Sequence, residues 1–163
     1  MTGATLVYVG VGSNLGNPIE QVSMAIRTMV QSEHINSLKS SSLYRSSPMG
    51  GMKQPDYINA VVSFHTDLAA LDLLDLLQQL EKNQGRQRTE VRWSARTLDL
   101  DLLLYGKQEI TLERLTLPHP GIYDRNFVIK PLAELDPELR LPDNTHISYL
   151  LAETSEEGLE KIE

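Results

Sequence analysis

The stretch Ala95–Tyr105 reads ARTLDLDLLLY and is followed by Gly106. Its apolar content, its short length and the terminal glycine favour a β-strand over a helix. Because successive strand side chains point to opposite faces, Asp99 and Asp101 share one face, and the leucines at 98, 100 and 102 share the other. Two aspartates on one face are compatible with a solvent-exposed face of an edge strand or with a metal site, and this stretch alone does not distinguish the two.

The preceding segment, residues 85–96, reads GRQRTEVRWSAR and carries four arginines against one glutamate. Guanidinium groups that bind phosphate, next to carboxylates that bind hard cations, are what polyphosphate chemistry requires. The alternative is a surface loop whose arginines form salt bridges with the two aspartates of the strand.

Length and composition limit the possible functions. The 163 residues are enough for one domain with its own core, and cysteine is absent, which excludes disulfides and thiolate metal sites. No membrane span or signal pattern is evident, so we expect a cytoplasmic protein that does not bind membranes. Residues 131–163 hold nine acidic and two basic side chains and supply the whole net charge of −7, and no extended basic face that would bind nucleic acid is seen.

Hydrophobic patterning predicts two helices, one with Asn17 as its N-cap and Pro18 at its first position that runs to about Gln31, and one over Leu68–Gln84. Strands are predicted at Thr5–Val11, Asn36–Arg45, Ile58–Thr66 and in the stretch Ala95–Tyr105. The order βαββαβ is typical of the α+β ferredoxin-like fold, an antiparallel sheet with helices on one face. We expect a single catalytic domain over residues 1–163, with the core at 5–106, a C-terminal extension at 107–152 and a frayed acidic tail at 153–163.

Glycines at 10, 12 and 16 match neither the dinucleotide-binding fingerprint nor a P-loop. Their pattern fits a tight strand-to-helix turn at least as well as a ligand-contacting loop.

Four motifs together resemble one enzyme family. The segment 92–106 (RWSARTLDLDLLLYG) resembles the signature of the 6-hydroxymethyl-7,8-dihydropterin pyrophosphokinases of folate biosynthesis. Three further matches occur in order: GSNLG at 12–16, QPDYINAV at 54–61, and PHP at 118–120 followed by Arg125-x-Phe127. The resemblance spans roughly residues 5 to 142 and implies a ferredoxin-like core, in agreement with the patterning.

The resemblance implies transfer of the terminal pyrophosphoryl group of ATP to the hydroxymethyl group of the pterin, with release of AMP. It implies that Asp99 and Asp101 chelate two Mg²⁺ ions, which suits a cation that takes one or two carboxylates plus substrate phosphates. Arg86 and Arg96 match arginines that grip phosphate and complete the implied catalytic set. Arg88, Arg92 and Trp93 lie on the loop that closes over the nucleotide in this family.

The resemblance also assigns the two substrate sites. The implied ATP-binding residues are Leu74, Gln78, Arg86, Arg88, Arg92, Trp93, Arg96, Leu102, Arg114, Thr116 and His119. A pterin is a flat bicycle with a donor and acceptor edge, so it needs aromatic faces and an amide. The implied pterin-binding residues are Asn14, Ser46, Ser47, Met49, Tyr57, Asn59, Trp93 and Phe127.

Two other functions are compatible with parts of the sequence. A metal-dependent phosphohydrolase would use the Asp pair with water as the acceptor, but it gives Tyr57, Asn59 and Phe127 no role. A non-catalytic ferredoxin-like regulatory module would carry the Asp pair and the arginines as surface features. The kinase is therefore the leading prediction, acting as a monomer on two small-molecule substrates.

Overall fold

The computed structural model describes residues 4–14, 16–46, 56–85 and 98–162. Its strands are β1 Thr5–Ser13, β2 Asn36–Ser40, β3 Tyr44–Ser46, β4 Tyr57–Thr66, β5 Asp99–Tyr105, β6 Ile110–Thr111, β7 Thr116–Leu117 and β8 Leu159–Lys161. Its helices are α1 Pro18–Val30, α2 Ala70–Gly85, a 3₁₀ helix Pro120–Tyr123, α3 Asn126–Leu135 and α4 Ile147–Glu153. The predicted βαββαβ order is confirmed.

The main sheet has the order β5-β1-β4-β3-β8, with β2 also paired to β4, and every pairing in it is antiparallel. The single strand predicted over Asn36–Arg45 is in fact two strands, β2 and β3. Ser41 explains the break, because its hydroxyl accepts the Val61 amide at 3.0 Å where a regular ladder would use a carbonyl. β6 and β7 form a separate hairpin.

One face of the sheet packs against α1 and α2. Apolar side chains at alternate positions of the strands make up that face. Side chains from alternate positions of β1, β4 and β5, such as Val9, Val62 and Leu100, join Met29 of α1 and Leu77 of α2 in one buried cluster. The predicted start of α1 is confirmed, since the Asn17 side chain accepts the Glu20 amide and Pro18 occupies the first helical position.

The C-terminal extension covers part of the opposite face. Ile129 and Leu132 of α3 and Ile147 of α4 pack with Tyr8 and Leu103 of the sheet in a second buried cluster. The sheet therefore has helices on both faces, two from the core on one side and two from the extension on the other. Because α3 and α4 cover only part of their face, its remaining part, which bears Asp99 and Asp101, lines open space.

The prediction of a frayed tail over 153–163 is wrong for residues 159–161. They form β8, which pairs with β3 so that Leu159 lies opposite Ser46. The strand uses backbone hydrogen bonds, and its acidic and basic side chains remain exposed. Within the described ranges, no helix has the length and apolar character needed to cross a membrane.

Candidate active site

The register of three neighbouring strands brings the predicted metal and pterin residues together. Gly12 of β1 lies opposite Asp99 of β5 on one side and Asn59 of β4 on the other. Gly10 is likewise paired with Asp101. Residues that pair directly across antiparallel strands share a face, so both aspartates and Asn59 point to the same side. Gly10 lies in β1 as predicted, but the strand continues through Gly12 to Ser13, so the predicted placement of Gly12 in a turn or loop is wrong.

A cavity of about 1000 Å³ lies over this face. Its lining includes four of the predicted pterin residues, both aspartates and His119. The pterin residues concerned are Ser46, Tyr57, Asn59 and Phe127. Asn14 is fully buried just after β1 and is not part of this lining, so the structure does not bring it to the cavity.

The Asn59 amide is fixed within the cavity wall. Its Nδ2 donates to Ser46 Oγ at 2.9 Å, and the two residues are only 7% and 5% exposed. A Cβ built on Gly12 would lie 3.0 Å from Asn59 Oδ1. Glycine at position 12 therefore keeps space for the orientation that Asn59 adopts.

Replacement of Gly12 by alanine is expected to weaken pterin binding about tenfold, because the new methyl group pushes the hydrogen-bonded Asn59 amide out of position. Titration calorimetry with the pterin measures the change. Ser63→Ala is the control, since Ser63 is buried on the same face of β4 and lies outside both cavity linings. Equal pterin affinities for Gly12→Ala and the unaltered chain would contradict the assigned role of Gly12.

A second cavity, of about 590 Å³, adjoins the first. The predicted nucleotide residues that the structure describes all line it: Leu74, Gln78, Leu102, Arg114, Thr116 and His119. They come from α2, β5, β7 and the loops that flank β7, so only the tertiary fold brings them together. Tyr57, Asp99, Asp101 and His119 line both cavities. The Asp pair therefore stands where the two spaces meet.

Arg114 is held at the edge of the second cavity by α2. Its Nη2 donates to Asp75 Oδ1 at 2.6 Å and to Gln78 Oε1 at 3.3 Å. About half of the Arg114 side chain is exposed, so the guanidinium has further donors to offer an anion.

His119 is oriented by two backbone hydrogen bonds. Its amide donates to the Leu103 carbonyl, and its Nδ1 accepts the Gly121 amide at 2.9 Å. Burial lowers the pKa of His119; the nearby Asp101 carboxylate opposes this, and the Arg125 guanidinium adds to the lowering. The lowered pKa favours the neutral ring, and with Nδ1 accepting, its proton lies on Nε2.

Glu81 of α2 is a contact that the sequence reasoning did not assign. Its Oε2 accepts the amide of Leu100, between the two aspartates, at 2.7 Å. β5 is an edge strand of the main sheet, so this amide points away from β1, and Glu81 supplies its acceptor. The bond ties the position of the Asp pair to α2.

Replacement of Glu81 by alanine is expected to lower kcat about tenfold, because loss of a charge-assisted bond to the strand backbone allows the aspartates to shift. Glu81→Gln retains an acceptor of the same length and should lose less. Steady-state kinetics measures both variants, and thermal unfolding reports any general loss of stability. If kcat is unchanged in Glu81→Ala, the bond has no positioning role.

Arg125 also lines the first cavity and was quoted in the sequence motif without a site role. Its Cζ lies 5.9 Å from the centre of the Phe127 ring, within cation–π range. A Cβ on Gly121 would lie 2.8 Å from Arg125 Cδ, so the close approach of this side chain needs glycine at 121. The sequence signal for a site role of Arg125 is its position two residues before Phe127, within the Arg125-x-Phe127 motif.

Some predicted site residues lie outside the described residues, and their roles stay predictions. They are Ser47, Met49, Arg86, Arg88, Arg92, Trp93 and Arg96.

The donor set at the Asp pair suits a cation that shares its ligands with a substrate. Asp101 is exposed and Asp99 half-buried, on the open face of β5. In the part of the chain that the structure describes, no three histidine, aspartate or glutamate side chains are grouped to hold a metal ion by themselves. Mg²⁺ commonly binds through one or two carboxylates and takes its other ligands from water and phosphate, so two aspartates are a sufficient protein contribution.

Comparison with known proteins agrees with this geometry. Residues 8–137 match the family model described as 7,8-dihydro-6-hydroxymethylpterin-pyrophosphokinase (HPPK). The 2-amino-4-hydroxy-6-hydroxymethyldihydropteridine pyrophosphokinase of Pseudomonas aeruginosa is 47% identical over 156 residues, covering 96% of both chains. The protein of the same name from Haemophilus influenzae is 44% identical, covering 95% of this chain and 96% of the relative.

Solved structures support the fold. The wild-type HPPK-DHPS of Plasmodium falciparum superposes with a TM-score of 0.71 at 12% identity, over 92% of this chain and 44% of that chain. Its A437G/K540E variant with pterin and p-hydroxybenzoate gives a TM-score of 0.75 at 12% identity, over 98% of this chain and 47% of that chain. This chain thus spans less than half of those longer proteins. By its motifs, its fold and its full-length relatives, the chain belongs to the 7,8-dihydro-6-hydroxymethylpterin-pyrophosphokinase (HPPK) family.

Proposed function

We propose that this protein transfers the pyrophosphoryl group of ATP to the hydroxymethyl group of 6-hydroxymethyl-7,8-dihydropterin, giving the pterin diphosphate and AMP in folate biosynthesis. One observation carries the proposal: Asp99 and Asp101 line both of the adjoining cavities. A group-transfer reaction between two substrates needs their reacting ends at one place, held in line. The Asp pair occupies such a place.

The first cavity suits the pterin. Tyr57 and Phe127 offer aromatic faces for a flat ring, and the buried Asn59 amide offers a donor and an acceptor in fixed positions. Gly10 and Gly12 leave the floor of the cavity without side chains, so a planar ligand has room over the sheet.

The second cavity suits the nucleotide. Leu74 and Leu102 supply apolar surface that fits an adenine ring, and Arg114 supplies a cation for phosphate. The neutral His119 has an Nε2 proton with which it can donate to a phosphate oxygen. We further propose that Arg86 and Arg96 grip the phosphates that are transferred, as the family resemblance implies.

Asp99 and Asp101 would hold two Mg²⁺ ions that also bind the triphosphate. When bound, Mg²⁺ would supply positive charge that offsets the negative charge of the transferred group. β5 places both aspartates on one face, where the exposed Asp101 and the half-buried Asp99 leave room for phosphate and water ligands. Glu81 holds the backbone between them.

Product analysis tests the proposal. The protein is incubated with MgATP in the presence and absence of 6-hydroxymethyl-7,8-dihydropterin, and the nucleotides are separated by ion-exchange chromatography. AMP that forms only with the pterin supports the pyrophosphokinase. ADP as the product, or AMP without the pterin, would instead indicate a different kinase or a phosphohydrolase.

A further inference from the structure

The C-terminal segment 154–158 lies at the first cavity. Thr154, Ser155, Glu157 and Gly158 are all part of its lining. The segment follows α4 and precedes β8, in a part of the chain whose acidic composition predicted disorder. Its course is instead defined by a turn in which Ser155 Oγ accepts the Glu157 amide at 2.9 Å and Gly158 adopts φ of +75°.

On one side, α3 holds this segment. Asn126 Nδ2 donates to the carbonyl oxygens of Ser155, at 2.9 Å, and Glu157, at 3.2 Å. Lys130, one turn further along α3, forms an ion pair with Glu156. Asn126 lies between Arg125 and Phe127 in the sequence, so the anchor of the segment adjoins the aromatic side of the cavity.

On the other side, β3 holds the segment through β8. Leu159 is paired with Ser46, and the Ile162 amide donates to the Leu43 carbonyl at 2.8 Å. Ser46 is the residue whose hydroxyl accepts the Asn59 amide. The segment therefore connects the part of the cavity that bears Phe127 with the part that bears Asn59.

We propose that residues 154–158, anchored by Asn126, form a wall of the pterin cavity and set its affinity for the pterin. This inference rests on the proposed function. Stacking on Phe127 and edge recognition by Asn59 must be made at the same time, and a connection that fixes the two parts relative to each other reduces the ordering that binding requires. The nucleotide cavity has no lining residue from this segment.

Binding measurements on four proteins test the wall. They are the unaltered chain, a truncation after Glu153, Asn126→Ala, and Asn83→Ala, a matched control on α2 outside both cavity linings. Titration calorimetry gives the Kd for 6-hydroxymethyl-7,8-dihydropterin and, separately, for the magnesium complex of α,β-methylene-ATP. We expect the truncation to raise the pterin Kd at least tenfold and Asn126→Ala to raise it about threefold, while nucleotide Kd values and the Asn83→Ala protein stay unchanged.

The outcomes separate this inference from the proposed function. If the unaltered chain binds the pterin and Asn126→Ala binds it equally well, the inference fails and the proposed function stands. An equal loss of pterin and nucleotide affinity also overturns it, because a general loosening of the fold then explains the effect. If the truncated chain does not fold, the pterin Kd of the Asn126→Ala protein decides whether the inference holds. Failure of the unaltered chain to bind the pterin overturns the proposed function, and the inference with it.

Discussion

Replacement of Asp99 or Asp101 by alanine is expected to lower kcat by about 10³-fold, which corresponds to about 4 kcal/mol of lost transition-state stabilisation. In the proposed function each carboxylate would be a protein ligand for Mg²⁺, and in the described part of the chain no third acidic or histidine side chain is grouped with the pair to replace it. Both side chains lie on the open face of β5, so the substitution leaves the buried leucines of that strand in place.

Steady-state turnover with MgATP and the pterin measures the effect, and circular dichroism with thermal unfolding verifies that each variant is folded. Asp72→Ala is the matched control, an exposed aspartate of α2 outside both cavity linings. Turnover within threefold of the unaltered protein for either variant would assign the pair to a solvated strand face.

Replacement of Asn59 by alanine is expected to raise the KM for the pterin about 10²-fold, with the KM for MgATP unchanged. The change removes the amide proposed to bind the pterin edge and leaves the buried Ser46 hydroxyl without its Asn59 donor, a loss of about 2–3 kcal/mol. Substrate-saturation kinetics for each substrate in turn separates the two KM values.

Ser63→Ala provides the control for this substitution. Ser63 is a buried polar residue on the same face of β4 and lies outside both cavity linings. If Asn59→Ala changes both KM values equally, Asn59 supports the fold of the site rather than pterin recognition.

The strands were predictable where side chains alternate. In β4 and β5 the period of two placed Val62 and Leu100 in the core and Asn59 and Asp99 opposite, as the structure has them. This alternation follows from local backbone geometry and needs no tertiary information. The ferredoxin-like order followed from the succession of these elements.

Other features depend on pairing partners that a single sequence does not reveal. Gly12 suggested a turn because glycine is disfavoured in strands, but the register places it between Asp99 and Asn59, where a Cβ would crowd the Asn59 side chain. β8 was not predicted because it is held by backbone hydrogen bonds to β3, whereas amino-acid composition describes only the side chains. The break between β2 and β3 depends on one serine hydroxyl that substitutes for a carbonyl.

The residues of the candidate site could be predicted where they belong to one of the sequence motifs. The residues of the two substrate sets that the structure describes line the two cavities, except Asn14. Glu81 and Asn126 could not be assigned, because each acts through a hydrogen bond to the backbone of a distant segment. Hydrogen bonds of this kind produce no periodic pattern in the sequence from which they could be predicted.

Transfer of a two-phosphate unit to the pterin is tested most directly by following the β-phosphorus of ATP. In a single turnover with ATP labelled with ³²P at that position, and with Mg²⁺ and 6-hydroxymethyl-7,8-dihydropterin present, all converted label is expected in the pterin diphosphate and none in the AMP. Label found in ADP would show that only the γ-phosphoryl group moves. Label released as free pyrophosphate, with the pterin unmodified, would show that water is the acceptor; either result would contradict a pyrophosphokinase built around Asp99 and Asp101.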